Sequence, residues 1–434
     1  MLLKVYRGLS FISGPLIRIF FERRKRHGKE DPNRIDERYG NASKCRPNGP
    51  LVWFHAASVG EINSVISLIN LLKQKNSGVV FLVTTWTVTS AALIAKRIPE
   101  GIIHQFVPID RPTWIRRFLN YWQPDLAFWV ESEIWPNLIT EIHNRKIPMV
   151  LLNGRISFRS FQKWRHLPTT IQRILHCFTL CFAQSDLDAE RLKALGAGDI
   201  RVSGNLKYAA DPLPADDKAL TDLWTAIGKR PIWICVSTHE GEEQAVVDAH
   251  RIITKTHPEL LTMIIPRHPT RANKIAKDLS KQGFIISLRS SKDVINNSTE
   301  IYIADTVGEL GLFYRLAPIA FIGGTLIPHG GQNLLEAAKL DCAIVHGPSM
   351  TNFASITEEM TAAQGSITIK SKTELPAAII SLLVDDSRRK NQIVAARRVA
   401  DAKEIILEAV AKELDPVLNR TVLSQRQQQR HARA

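Results

Sequence analysis

From Leu51 onward, short runs of β-branched and other apolar residues alternate with longer stretches whose apolar positions recur at helical spacing, the pattern of βαβ units on a parallel sheet. The first half predicts strands at 51–55, 79–84, 125–130, 148–152, 178–183 and 200–203. A break follows at Asp211–Asp217, DPLPADD, where two prolines among acidic residues suit an exposed connector. The pattern then restarts, with strands predicted at 231–236, 261–265, 284–287, 301–303, 319–323 and 343–346. After Pro376 the spacing predicts helix to about Leu414, and the Arg/Gln-rich stretch 418–434 predicts disorder.

Two successive doubly wound halves predict an α/β architecture of two Rossmann-like domains facing each other across a central cleft, with ligands at the carboxyl ends of the strands. The expected divisions are a basic, apolar N-terminal membrane anchor at 1–29, a first domain at 30–209, a linker at 210–220, a second domain at 221–414 and a basic tail at 415–434. No strand is followed by GxGxxG, which disfavours dinucleotide binding and hydride chemistry.

Charge narrows the class of partner. The chain carries 57 basic and 42 acidic residues, a net +15 that points to an anionic partner. Residues 1–29 concentrate a net +7, and they contain the apolar segment Gly8–Phe21 followed by ERRKRHGK. That segment is shorter than the ~20 residues a spanning helix needs and is interrupted by Arg18, so it predicts an interfacial anchor on an anionic membrane surface. The alternative is an amphipathic helix packed on the body. The basic segments lack interleaved aromatics, so nucleic acid is not an expected partner. Five irregularly spaced cysteines give neither a disulfide framework nor a zinc pattern.

Candidate chemistry gathers at strand ends. FHAASVGEINS brings Glu61 to the start of a helical pattern just after the first strand, where a carboxylate either serves at a cleft or complements the helix dipole. LAFWVESEIWPNL puts Glu131 and Glu133 after another strand, LNGRIS adds Arg155 and SGNLKY adds Lys207; together they predict one cleft for an anionic ligand. In the second half, PRHP offers Arg267 and His268 as phosphate donors on an extended segment. FIGGTLIPHGGQNLLEAA holds glycines that let backbone amides approach an anion, then Asn333, Leu334, Leu335 and Glu336 at a helix start, where a carboxylate can bind ribose hydroxyls. DTVGEL repeats the design with Gly308, Glu309 and Leu310, the alternative being a simple helix cap. The D-x-D at Asp186 and Asp188 follows Ser185 as a helix cap rather than a metal site. HExxH, paired CxxC and G-x-S-x-G are all missing, so no metal and no hydrolase reading is expected.

The motifs HAASVGE, ESEIWPN, NGRIS, GNLK, PRHP, GELGLFY and GGQNLLEA, in this order, resemble the lipid A Kdo transferases, the 3-deoxy-D-manno-octulosonic acid transferases of Gram-negative bacteria. The resemblance runs to about Leu414. It implies a two-domain GT-B fold at the cytoplasmic face of the inner membrane and transfer of Kdo from CMP-Kdo to a lipid A precursor, without a cofactor. It also implies that Glu61 is the general base, that Glu131 and Lys207 stabilise the transition state, and that CMP meets Arg267, His268, Gly308–Leu310 and Asn333–Glu336. Gly154 and Ile156 depart from the Ala and Leu expected in the Arg155 motif, which touches only the shape of the Kdo carboxylate pocket. Two rivals stand beside this reading: a GT-B transferase that uses a UDP-sugar, and a noncatalytic membrane-bound protein that binds anionic ligands.

Overall fold

A computed structural model describes residues 2–97, 101–131 and 133–431. The chain divides into two units, Met1–Ala210 with Glu404–Ala434, and Asp211–Lys403.

In the first unit, strands β1 (Leu51–His55), β2 (Val80–Thr85), β3 (Ile102–Phe106), β4 (Leu126–Val130), β5 (Met149–Gly154), β6 (Leu180–Ala183) and β7 (Ile200–Val202) form a parallel sheet in the order β3-β2-β1-β4-β5-β6-β7. Successive side chains of β1 go to opposite faces, Trp53 into one core and Phe54 into the other, so a fully apolar run is what a sheet covered on both sides requires. β3, IIHQF, is an edge strand missing from the expected set; its alternation is weak because three of its five residues are only half-buried.

The second unit repeats the plan with β8 (Ile232–Thr238), β9 (Leu261–Pro266), β10 (Ile286–Leu288), β11 (Ile301–Ile303), β12 (Ile319–Ile322), β13 (Ala343–His346) and β14 (Ser366–Thr368), ordered β10-β11-β9-β8-β12-β13-β14 and parallel throughout. β1 and β8 each stand where the strand order reverses, the place at which such sheets bind ligands.

The C-terminal segment departs from expectation. Instead of ending the second domain at Leu414 and trailing into a disordered tail, the chain returns to the first unit and forms one helix, Ile405–His431, with Pro416 inside it. Val410, Ala411, Leu414 and Leu418 are buried in the core that also holds Leu206. Burial of this stripe, at roughly 1.5–3 kcal/mol per large apolar side chain, outweighs the polar composition of the segment. Residues 432–434 of the expected tail lie outside the described residues.

At the other end, helices Leu2–Ile12 and Gly14–Arg26 lie on the first unit: Phe21 is buried beside Ile109 and Trp114, and the Tyr6 hydroxyl donates to Asp110 at 3.0 Å. Their other face leaves Leu9, Phe11, Ile12, Leu16, Ile19 and Phe20 exposed. Among the described residues no helix is long and apolar enough to cross a membrane.

Candidate active site

Glu61 stands in the first turn of helix Val59–Lys75, directly after β1. Ser58 caps that helix, its hydroxyl accepting from the Glu61 amide at 3.3 Å. The carboxylate reaches back, taking the Ser58 hydroxyl proton at 2.9 Å and the Ala57 amide at 2.8 Å. The capping alternative is therefore realised, yet it does not exhaust the residue. Glu61 is 7% exposed, and burial lifts its pKa from 4.5 to about 7 against the pull of those two hydrogen bonds, with the charges of Glu133 and Glu131 adding to the rise. A carboxyl poised there exchanges protons near neutral pH.

Glu131 follows β4 with φ of +60°, a left-handed conformation that non-glycine residues adopt only where the surroundings enforce it. Its amide donates to the Leu152 carbonyl at 2.9 Å, and its Oε1 lies 2.5 Å from Lys207 Nζ. Lys207 sits on the 3-10 turn Leu206–Ala209. Two asparagines hold that turn. Asn205 Oδ1 accepts from the Lys207 amide and Asn153 Oδ1 from the Leu206 amide, each at 3.0 Å. From behind, a methyl placed on Gly204 would lie 2.8 Å from Ile406 Cδ1, so the returning C-terminal helix packs directly on the turn. Lys207 also borders the Glu61 helix, 3.9 Å from where a Gly60 side chain would start. Glu61, Glu131 and Lys207 thus form one cluster, with Glu133 alongside, its carboxylate accepting from Trp135 Nε1 at 2.8 Å.

Arg155 follows β5, is exposed, and makes no hydrogen bond or ion pair among the described residues. Its loop is fixed one residue later, where the Ile156 amide donates to Asp188 Oδ1 at 2.9 Å. Asp188 Oδ2 takes the Ser185 hydroxyl at 2.7 Å, so the carboxylate of the formal D-x-D is committed to structure. Among the described residues no three His, Cys, Asp or Glu side chains converge to hold a metal ion. A cavity of about 1530 Å³ opens at the amino ends of β4–β7, away from this cluster. Three of its arginines are engaged: Arg46 bonds backbone carbonyls, Arg145 lies 3.5 Å from Glu141 and Arg201 pairs with Glu413 at 2.7 Å.

In the second unit the predicted residues stand at the carboxyl ends of β9, β11 and β12. Arg267 and His268 are exposed after β9, and the Arg267 amide donates to Thr238 O at 3.0 Å. Gly308, at φ +90°, precedes Glu309, the cap position of helix Leu310–Leu316. Glu309 is held in a bidentate pair with Arg289, at 2.7 and 3.1 Å, and by the Thr306 hydroxyl, which lowers its pKa. Asn333 is itself the cap of helix Leu334–Ala338, accepting from the Leu335 amide at 3.1 Å; Leu334 and Leu335 are buried and Glu336 lies half-buried in the first turn.

The glycine-rich turn requires a correction. Its glycine amides are not open to a ligand: that of Gly324, with those of Thr325 and Leu326, donates to the carboxylate of Glu242 at 2.7, 3.0 and 3.0 Å, Gly323 donates to Val236 O, Gly330 to Ser349 Oγ and Gly331 to Gly324 O. The anion that this turn embraces is the protein's own. Sequence reading missed Glu242 and also Asn153; the one signal for Glu242 was its place after β8, matching that of Glu61 after β1.

Comparison with known proteins agrees with this geometry. Residues 33–210 match the family model described as 3-deoxy-D-manno-octulosonic-acid transferase (kdotransferase). The chain is 37% identical over 391 residues to the probable mitochondrial 3-deoxy-D-manno-octulosonic acid transferase of Arabidopsis thaliana, covering 88% of each. It is 33% identical over 426 residues to the 3-deoxy-D-manno-octulosonic acid transferase of Haemophilus influenzae, covering 96% of this chain and 99% of that one. Among solved structures, a glycosyltransferase from Rickettsia africae aligns with a TM-score of 0.57 at 13% identity, over 86% of this chain and 99% of that one, a likeness of fold. The two parallel seven-stranded sheets and this structural neighbour make the fold α/β of the GT-B type.

Proposed function

The chain belongs to the 3-deoxy-D-manno-octulosonic acid (Kdo) transferase family, and from that premise we propose how its own residues carry the transfer. It is a glycosyltransferase that transfers Kdo in lipopolysaccharide biosynthesis. The finer reading is an inverting, metal-independent enzyme that moves Kdo from CMP-Kdo to a lipid A precursor. Glu61 takes the proton of an acceptor sugar hydroxyl while that oxygen bonds to the Kdo anomeric carbon. The bond from this carbon to the phosphate oxygen breaks, and its electron pair leaves with cytidylate; one displacement inverts the centre. Lys207 faces the negative charge that develops, and the 2.5 Å ion pair supports Glu131 as the group that orients it. Arg267, His268, Gly308–Leu310 and Asn333–Glu336 bind the nucleotide, whose single phosphate asks for fixed cations rather than a metal.

The observation that carries this reading is the Glu61 carboxyl: buried, bonded by two donors and held at about 7, the value a general base needs near neutral pH. The exposed apolar face of the two N-terminal helices, beside Arg23 and Arg26, supports docking on an anionic membrane surface. The test is mass spectrometry of products formed from CMP-Kdo and a tetraacylated bisphosphorylated disaccharide lipid, with Glu61→Gln and a UDP-sugar alongside. Kdo adducts with wild type only, and with CMP-Kdo only, are expected. Turnover with the UDP-sugar alone, or full activity of Glu61→Gln, overturns the reading.

A further inference from the structure

The second sheet carries an imidazole cluster at its carboxyl end that joins His268 and His329, from two of the motifs above, to His239, which lies outside them. His239 follows β8, His268 follows β9 and His329 lies in the turn after β12, so three adjacent strands supply them at the point where the sheet order reverses. The His239 and His329 rings lie against each other with centroids 3.9 Å apart and planes tilted by 34°, and His268 meets His239 edge-on at 6.2 Å. His239 Nε2 is closed off from solvent and has no hydrogen-bond partner. It borders Gly324 together with His329 Nδ1: a methyl built on that glycine would lie 3.5 and 3.4 Å from the two nitrogens. A buried ring nitrogen left unbonded costs on the order of 1–3 kcal/mol.

The charges around His239 are His329, His268 and Arg271 on the positive side and Glu242 on the negative. Arg271 is paired with Glu243 at 2.8 Å, and Glu242 is committed to backbone amides, including that of His239 at 3.0 Å. Burial first, and then the charge of His329, lower the His239 pKa. The free chain therefore keeps this ring neutral at neutral pH.

We propose that the adjoining His239–His329 pair is the seat of the nucleotide phosphate, and that a phosphate monoester binds there with uptake of a proton onto the pair. The proposal rests on the reading that the second unit binds a cytidine nucleotide. An anion against two adjoining imidazoles favours their charged form, and Arg267 and His268 stand on the neighbouring strand end to share it. The chemistry gives this coupling a use. CMP-Kdo carries a singly charged phosphodiester; when the bond to the anomeric carbon breaks, the electron pair stays on the phosphate, which becomes a monoester with a second negative charge. A proton drawn from solvent onto the pair balances that charge where it arises.

Titration calorimetry of CMP into the full chain at pH 7.5, in buffers of different ionisation enthalpy, tests this directly. Free CMP is then mostly dianionic, its second pKa being about 6. The heat is expected to vary with the buffer by about half to one proton taken up per CMP, while cytidine, which lacks the phosphate, gives a buffer-independent heat. His329→Asn, at an exposed position, is expected to abolish the uptake and weaken CMP about tenfold with cytidine binding unchanged; His239→Asn should do the same. CMP binding with a buffer-independent heat, or uptake that survives in both variants, overturns the proposal alone. Binding of uridine and UMP in preference to cytidine and CMP overturns the nucleotide reading beneath it.

Discussion

The two sheets place a glutamate at matching positions and treat it in opposite ways. Glu61 follows β1 and Glu242 follows β8; each lies in the first turn of the helix that leaves a strand at the point of order reversal. Glu242 is fully buried and receives four backbone amides, from His239, Gly324, Thr325 and Leu326, so its negative charge is answered from every side. Glu61 is nearly as buried but receives one amide and one hydroxyl, and it faces two further carboxylates. The same topology thus yields a structural anion in one unit and, in the proposed mechanism, a proton acceptor in the other. Donor count and neighbouring charge decide between them, and position alone does not.

Glu61→Gln sets this contrast most sharply. Turnover is expected to fall by about 10²–10⁴, the usual worth of a positioned base, as read from product formation. Stability should move the other way. Because folding raises the Glu61 pKa from 4.5 to about 7, its contribution is complete below about pH 4.5 and is lost as pH climbs through 7, where a buried charge must be carried. The neutral glutamine removes that charge, so the variant should melt higher than wild type at pH 8 and alike at pH 4.5. The same titration predicts that wild-type kcat/KM drops about tenfold per pH unit below about 7. A variant that melts lower at pH 8 would break the comparison.

Glu242→Gln is the mirror experiment. An amide offers one acceptor oxygen where four N–H groups converge and turns its own NH2 against some of them, so a loss of about 2–4 kcal/mol is expected in thermal or denaturant unfolding at pH 7 and 8 alike. Retention of wild-type stability would mean that the carboxylate is not what holds the glycine-rich turn.

The contrast also explains what the sequence made legible. Strands buried on both faces announce themselves as apolar runs, and polar residues just beyond them fall at one end of a parallel sheet, which is why Glu61, Glu131 and Lys207 stand out in the sequence itself. Edge strands such as β3 and β14 are only partly buried and carry no such run. The helical stripe Val410, Ala411, Leu414 and Leu418 was present but broken to the eye by Pro416 and by polar neighbours. The bond from Glu242 to Gly324 spans 82 positions, and no local window contains it. Glycines there report a close backbone approach to an anion, and only the fold says whose anion it is.

Lys207→Ala carries the next largest effect, a loss of about 10² in kcat, since in the proposed mechanism it removes a single charged donor at the reacting centre. It should also leave the half-buried Glu131 near Glu61 without its cation, so the acid limb of the Lys207→Ala rate profile is expected to move above the wild-type position. An unmoved limb would separate the ion pair from the base and reduce the cluster to two independent sites.

The smallest effect belongs to Asn153, which touches no reacting group and acts through the turn that carries Lys207. It holds φ of +54°, a conformation that asparagine and aspartate tolerate better than most residues, while its Oδ1 receives the Leu206 amide at 3.0 Å. Asn153→Ala forfeits both, and the expected result is about a tenfold lower kcat, little change in KM, and an acid limb still near pH 7 because Glu61 itself is untouched. Asn153→Asp keeps the acceptor and the backbone tolerance and should recover most of the rate. If alanine and aspartate lose activity equally, or if KM rather than kcat bears the change, the turn is not the element that aims Lys207, and the ordering of the first cluster must come from the C-terminal helix packed against Gly204.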